Sequence, residues 1–435
     1  MSILEDVYSV GVRSLQAAFP LLGRGGGKLA RGIRGRAGVL RRMREWTEKH
    51  RVMERPLVWF HAPSVGEGLQ AIAVLEATLR MRPDLQVVYT FFSPSAERLA
   101  IKVPADFADY LPIDTPGAVS EALDLLRPDV IAFSKTDVWP NLTREAKRRG
   151  VHLAMISATL PASSSRLRGP ARLLLQPAYS RLDRVAAISQ EDSLRFGSLG
   201  VSAERRSVMG DAHFDRVIAR VRKVDRKSAL LDPLRSESPV LVAGSTWASD
   251  EERLIPTLAR LREQGLKLGT ILVPHEPTEA HLAETERKLR AAGLRYVLLS
   301  ELTGPWHGTE ILLVDRVGVL GDLYSLGALA YVGGGYGTAG LHSVLEPAAF
   351  GIPVLFGPYH QNAREAAELV SCGGAFEIGE SSALEARIRH LIESERDRLL
   401  AGDAARHFVE SGIGAAKRGA DVITGLLREN RTETA

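Results

Sequence analysis

Six stretches of this 435-residue chain place polar side chains where an apolar run gives way to a helical pattern, the arrangement that gathers reactive groups at the mouth of a parallel sheet. Glu67 ends the small-residue turn Ala62-Pro63-Ser64-Val65-Gly66. A carboxylate there either caps a helix, gaining about 0.3–1 kcal/mol from the dipole, or acts as a general base toward a hydroxyl. Lys135-Thr136-Asp137-Val138-Trp139-Pro140-Asn141 repeats the pattern. There Lys135 and Asp137 can seat an anionic sugar or orient the base, or Asp137 and Asn141 only cap the next helix. His213, in Gly210-Asp211-Ala212-His213, is either a packing histidine or a participant in proton transfer.

Farther along, Ser245 and Thr246 offer hydroxyls and backbone N–H groups to a phosphate, and Pro274-His275 stand in the equivalent place one strand later. The richest stretch runs from Gly333-Gly334-Gly335 through Gly337 and Gly340 to His342-Ser343-Val344-Leu345-Glu346. Its glycines let backbone approach a phosphate, a helix expected to begin near Ser343 would aim its N-terminus there, and Glu346 would meet ribose hydroxyls. The competing reading is a glycine-rich turn with no ligand. The stretch lacks the terminal Gly-Lys-Ser/Thr of a nucleotide-triphosphate P-loop and does not follow the first strand as a dinucleotide fingerprint would. With no Asp-x-Asp or metal-spaced histidine cluster after a strand of the second half, neither metal nor cofactor is expected.

The elements that must position these groups are legible as alternation. From Pro56, short apolar runs (57–61, 86–92, 129–134, 151–157, 184–189, 207–209) alternate with helical patterns (69–81, 118–126, 141–149, 190–199). The pattern restarts after the charged stretch 216–238, with strands at 240–243, 267–273, 295–299, 310–314, 328–332 and 353–356, and helices at 250–263, 278–292 and 362–371. Residues 384–428 read as helical and could cross back to brace the first domain. The expected class is α/β, with Rossmann-like domains at 56–220 and 221–400 facing across a cleft, a membrane-associating segment at 1–55, and bracing helices at 401–435.

Length supports two full cores, and 45% hydrophobic with 25% charged residues describes an ordinary globular protein. The single cysteine, Cys372, excludes an intrachain disulfide and suits a reducing compartment. Ten Lys or Arg stand against Glu45 and Glu48 between Arg24 and Arg51, a local +8, so the remainder of this net +4 chain sums to −4. A uniformly basic nucleic-acid binder is therefore not expected. Ahead of the basic run, Leu4, Val7, Tyr8, Gly11, Leu15, Ala18, Phe19 and Leu22 form an apolar stripe at helical spacing. Glu5, Asp6 and Arg13 interrupt it too often for a span, and the charge order is not that of a secretory leader. The expectation is a helix lying on an anionic membrane surface; the alternative is a helix that packs on its own domain.

Taken in order, Ser64-Val65-Gly66-Glu67, Trp139-Pro140-Asn141, Gly210-Asp211-Ala212-His213-Phe214-Asp215, and His342-Ser343-Val344-Leu345-Glu346-Pro347 followed by Gly351-Ile352-Pro353 resemble the 3-deoxy-D-manno-octulosonic acid (Kdo) transferases, from Pro56 to about Phe376. The resemblance implies a GT-B fold, CMP-Kdo as donor, a lipid A precursor as acceptor, inversion at the anomeric carbon, no metal, and attachment to the cytoplasmic face of the inner membrane. It assigns the proton acceptor to Glu67 and transition-state assistance to Lys135 and His213. CMP contacts fall on Pro274-His275, Val317-Gly318-Val319 and Ser343-Val344-Leu345-Glu346. The chain departs from the family pattern by carrying Lys135 for Glu, His213 for Lys, His275-Glu276 for Arg-His, and Ser343 for Asn, as in a divergent branch. Rival expectations are a transferase or epimerase using a UDP-sugar and a degenerate sugar-nucleotide-binding protein.

Overall fold

Runs such as Leu57-Val58-Trp59-Phe60-His61 are apolar on both faces, so they cannot lie at a half-wet sheet; they become interior strands covered on both sides. The computed structural model describes residues 3–433 and divides into two units, residues 1–216 with 413–435 and residues 217–412.

The first unit holds β1 (Leu57–His61), β2 (Gln86–Phe91), β3 (Phe107–Tyr110), β4 (Val130–Ser134), β5 (His152–Ala158), β6 (Arg184–Ala187) and β7 (Arg206–Val208). They form one parallel sheet in the order β3-β2-β1-β4-β5-β6-β7. The strand order reverses between β1 and β4, so a crevice opens beyond their carboxyl ends. The second unit holds β8 (Val240–Thr246), β9 (Gly269–Pro274), β10 (Tyr296–Leu298), β11 (Ile311–Leu313), β12 (Leu329–Val332), β13 (Val354–Phe356) and β14 (Ala375–Glu377). This sheet is also parallel, in the order β10-β11-β9-β8-β12-β13-β14, with its reversal between β8 and β12. The α/β class with two parallel-sheet domains is as read from sequence; β3 and β14, short edge strands of mixed polarity, are additions to that reading.

The segment 384–428 is broken by Ser394 and by Gly412–Gly414. The helix Glu395–Ser411 lies in the second unit, whereas Ala415–Glu433 lies in the first and packs along the helix Val65–Met81. Asp215 caps it by accepting from the N–H groups of Gly414 (2.8 Å) and Ala416 (3.0 Å).

Residues 3–50 are integral to the first unit. The helix Val39–His50 buries Val39, Met43 and Trp46 at helical spacing in the main core, with Trp46 5.5 Å from Phe107. The basic run is largely engaged here: Arg42 makes a two-pronged contact with Asp109, Arg44 pairs with Glu121, and Arg34 and Arg36 donate to backbone carbonyls. Among the described residues only Arg24, Lys28, Arg31 and Lys49 of this run form no ion pair or hydrogen bond through their side chains.

The first helix, α1 (Ile3–Ala17), packs on its own unit through its polar face. Buried Glu5 pairs with Arg181 at 2.5 and 3.0 Å, Ser9 donates to Asn141 at 2.8 Å, and Tyr8 donates to Asp114 at 3.0 Å. Tyr8 thus belongs to the inward face, contrary to the stripe read from sequence. Leu4, Val7, Val10 and Leu15 are exposed, as are Leu21, Leu22 and Leu29 beyond them. No described helix is long and apolar enough to cross a membrane.

Candidate active site

Ser64 is the N-cap of the helix Val65–Met81, which puts Glu67 in its first turn beside the β1/β4 reversal. The Ser64 hydroxyl donates to the Glu67 carboxylate. The Lys135 ammonium, just past β4, lies 3.8 Å from the other Glu67 oxygen, and both side chains retain a quarter to a third of their exposure, so substrate can reach them. Lys135 holds a left-handed backbone (φ 64°), a conformation costing of order 1 kcal/mol or more for a side-chain-bearing residue. Its N–H donates to Ile156 O at 3.0 Å, which fixes that geometry.

The rest of the loop is tied down from beneath. Tyr179 donates to Thr136 O at 2.6 Å and Arg166 pairs with Asp137 at 2.7 Å. Burial, together with the Glu67 charge, pushes the Asp137 carboxyl up against the opposing pull of Arg166. Trp139 Nε1 donates to His61 Nε2 at 3.1 Å, which makes Nε2 the bare nitrogen; Nδ1 then donates to Thr90 at 3.0 Å, whose oxygen also accepts from Trp59 at 2.8 Å. Fully buried, His61 is held neutral down to about 3. Because the unfolded chain takes up this proton near 6.5 and the folded chain does not, the histidine's contribution to stability is complete above about 6.5. It is lost on acidification at up to about 1.4 kcal/mol per pH unit. The stability gap between the parent and His61→Gln, measured by chemical denaturation, is therefore expected to narrow as pH falls from 7.5 to 4.5.

His213 sits in the first turn of the helix Ala212–Val221, where Asp211 accepts from its backbone N–H (2.8 Å) and from Gln70 (3.0 Å). Burial, then the charges of Arg216 and Lys135, lower its pKa, so it stands as a neutral imidazole within the field of Lys135. The first unit thus gathers Glu67, Lys135, Asp137 and His213 about one crevice. Ser64 and Arg166 join them; sequence gave no reason to single these two out, because their roles are set by partners in space.

In the second unit the candidates surround the β8/β12 reversal. Trp247, His275 and His342 stack as three rings, with His275 and His342 centroids 4.2 Å apart, and Trp247 donates to His342 at 3.1 Å. Burial and the neighbouring His275 lower His342 to about 4. Thr246 is turned inward, its hydroxyl 3.2 Å from buried Glu251, so of the two hydroxyls only that of Ser245 is left for a ligand. Pro274-His275 ends β9, with His275 N–H donating to Thr246 O.

The structure adds to the sequence reading of the glycine-rich loop and corrects the expected start of the helix after it. A Cβ at Gly333 would lie 2.2 Å from Ser245 O, at Gly334 2.1 Å from Gly340 O and at Gly335 2.6 Å from Gly357 N, so these glycines first allow the loop to fold onto backbone. The helix that follows begins at Leu345, not Ser343, and spans only Leu345–Ala349, so its dipole is small and the loop N–H groups matter more. Val344 and Leu345 are buried and can offer only backbone. The Ser343 hydroxyl is buried with no hydrogen-bond partner among the described residues. Glu346 faces Arg220 at 3.6 Å, and Arg220 also lies 3.8 Å from Asp322, over Gly321, where a Cβ would sit 2.4 Å from the guanidinium carbon. Arg220 is a cation that sequence reasoning missed. Val317-Gly318-Val319 lies between β11 and the short helix Leu320–Leu323, whose Gly321 and Asp322 meet Arg220, with Val317 exposed and Gly318 left-handed. Among the described residues no group of three or more His, Cys, Asp or Glu is placed to hold a metal ion.

Residues 32–216 match the family model described as 3-deoxy-D-manno-octulosonic-acid transferase (kdotransferase). A Haemophilus influenzae protein named 3-deoxy-D-manno-octulosonic acid transferase is 27% identical over 382 residues, covering 86% of this chain and 88% of that one. Its namesake from Bordetella pertussis is 30% identical over 384 residues, covering 85% and 87%. Among solved structures, UDP-GlcNAc 2-epimerase from Neisseria meningitidis, bound to UDP-GlcNAc, matches with a TM-score of 0.60 at 14% identity, over 86% of this chain and 100% of that one. That likeness is one of fold, GT-B-like, and carries no substrate with it.

Proposed function

This chain belongs to the 3-deoxy-D-manno-octulosonic acid transferase family, and from that premise we propose that it moves Kdo, with inversion, from CMP-Kdo to a hydroxyl of a lipid A precursor in lipopolysaccharide core assembly. The observation that carries the mechanism is the Glu67 carboxylate at the β1/β4 crevice, held by Ser64 and 3.8 Å from the Lys135 ammonium. Glu67 takes the proton of the acceptor hydroxyl while its oxygen bonds to the anomeric carbon. The anomeric C–O bond to the phosphate breaks and CMP departs with the electron pair. In this reading Lys135 meets the carboxylate of the sugar acid. In the second unit, loop N–H groups around Gly333–Ser343, the Ser343 hydroxyl and Arg220 are the groups offered to the nucleotide.

Incubating the protein with CMP-Kdo and a lipid A precursor should give a product heavier by the sugar acid, read by mass spectrometry. Transfer from a UDP-sugar in the parallel reaction, with none from CMP-Kdo, would reverse the donor assignment.

The same reading sets the protein on the cytoplasmic face of the inner membrane. Its support is the outward apolar face of α1, continued by Leu21, Leu22 and Leu29, beside the cations Arg24, Lys28 and Arg31. Val7→Glu with Val10→Glu is expected to cut sedimentation with anionic vesicles by roughly tenfold or more, at unchanged melting temperature, since neither residue supports the fold. Undiminished vesicle binding would remove α1 from the membrane contact.

A further inference from the structure

Two adjoining hollows lie in the first unit where α1 and the helix Lys28–Arg36 meet the loops after β2 and β3. They measure about 620 and 340 Å³ and share Phe19, Ile33, Arg36 and Ile113 in their walls. Their remaining surface is mostly carbon, and the smaller hollow opens past Leu15, Leu22 and Leu29, which are exposed on the outward apolar face. Lys28 stands at the rim of the smaller hollow and Arg24 at that of the larger; neither forms an ion pair among the described residues. An occupant is therefore elongated and apolar, with an anionic head. A combined volume near 10³ Å³ suits a ligand of drug or fatty-chain size.

The wall that faces inward leads to the catalytic carboxylate. Phe92 and Ser93 line the smaller hollow, and their N–H groups donate to Pro63 O at 3.1 and 2.7 Å. Pro63 precedes Ser64, whose hydroxyl holds Glu67. Phe92 also stacks on Trp139 at 5.0 Å and carries Arg36 on its other side at 3.9 Å. The groove wall thus shares hydrogen bonds with the turn that carries Glu67, which ties a tail in the hollow to the acceptor of the proposed reaction more closely than to bulk phospholipid. Building on the proposed reaction, we infer that this groove takes up one acyl chain of the phosphorylated glycolipid acceptor, drawn from the bilayer, and that chain binding contributes to acceptor selection.

The test compares kcat/KM for the lipid A precursor and for its fully deacylated phosphodisaccharide, both in one non-ionic detergent without bilayer, in the full-length parent, Leu29→Trp and Ile33→Trp. The parent should favour the acylated acceptor by roughly tenfold or more. Each tryptophan, by filling the hollow, should reduce that ratio severalfold through KM. Leu29 is exposed, so its replacement does not threaten the fold, and the ratio cancels any common loss of active protein. A parent ratio near one, or a ratio equal in parent and both variants, would overturn the inference. So would phosphatidylglycerol in the micelles erasing the preference, since the groove would then take any lipid chain. No transfer to either acceptor would bring down the reaction itself, and the inference with it.

Discussion

Glu67→Gln is expected to lower kcat for sugar transfer by about 10²–10⁴-fold with little change in melting temperature or in the KM for the donor. The amide has the shape of the carboxylate and its oxygen can still accept from Ser64, so the first turn of the helix Val65–Met81 stays formed. What disappears is the capacity to take a proton and the attraction to Lys135 at 3.8 Å. Glu67→Ala should match Gln in rate, because both lack the base. A Gln variant with parent-like kcat would take Glu67 out of the chemistry and leave it a helix-capping carboxylate. Single-turnover product formation separates this from any effect on release.

Glu67 was legible in sequence because its signal is local: a small-residue turn after an apolar run, then a carboxylate within one helical turn. The interior strands were legible for the same reason, since burial on both faces demands unbroken apolar runs such as Val130–Ser134. Phe107–Tyr110 escaped because an edge strand exposes part of its surface and carries no such run. Pairings across long sequence separation left no trace. Trp139 meets His61 and Tyr8 meets Asp114 only because the sheet brings them together. Arg220 could not be told from its basic neighbours until Gly321 was seen beneath it.

The N-terminal segment teaches the complementary lesson. Counting charges found the +8, but not that Arg42 and Arg44 neutralise acids of their own unit. Likewise a hydrophobic stripe says that one face differs from the other, not which face the domain will take. Here Glu5, buried against Arg181, decides it: an ion pair out of water is retained only where geometry satisfies both partners, and its presence turns the apolar side outward.

The glycine loop was legible as a loop after an apolar run, but the backbone contacts that its glycines permit were not, and the group that supports it leads to the second large effect. Asp250 is buried and accepts from three donors: Trp247 N–H at 2.9 Å, Gly334 N–H at 2.9 Å and Tyr331 O–H at 2.7 Å. It thereby joins the start of the helix Ala248–Glu263 to the loop after β12. Asp250→Ala leaves those donors unsatisfied at about 1–3 kcal/mol each before relaxation, so a net loss of roughly 3–4 kcal/mol is expected. In a unit of this size that is about 10 °C in melting temperature. Nucleotide binding, followed by calorimetry with CMP, should weaken with it, because Gly333–Ser343 loses its anchor. Asp250→Asn provides the contrast. Its amide oxygen can take the two backbone donors while its NH₂ faces Tyr331, whose hydroxyl turns to accept, and the expected loss is only about 1 kcal/mol. Equal losses in the two variants would mean that the loop is held by the charge of the carboxylate and not by the number of hydrogen bonds it accepts.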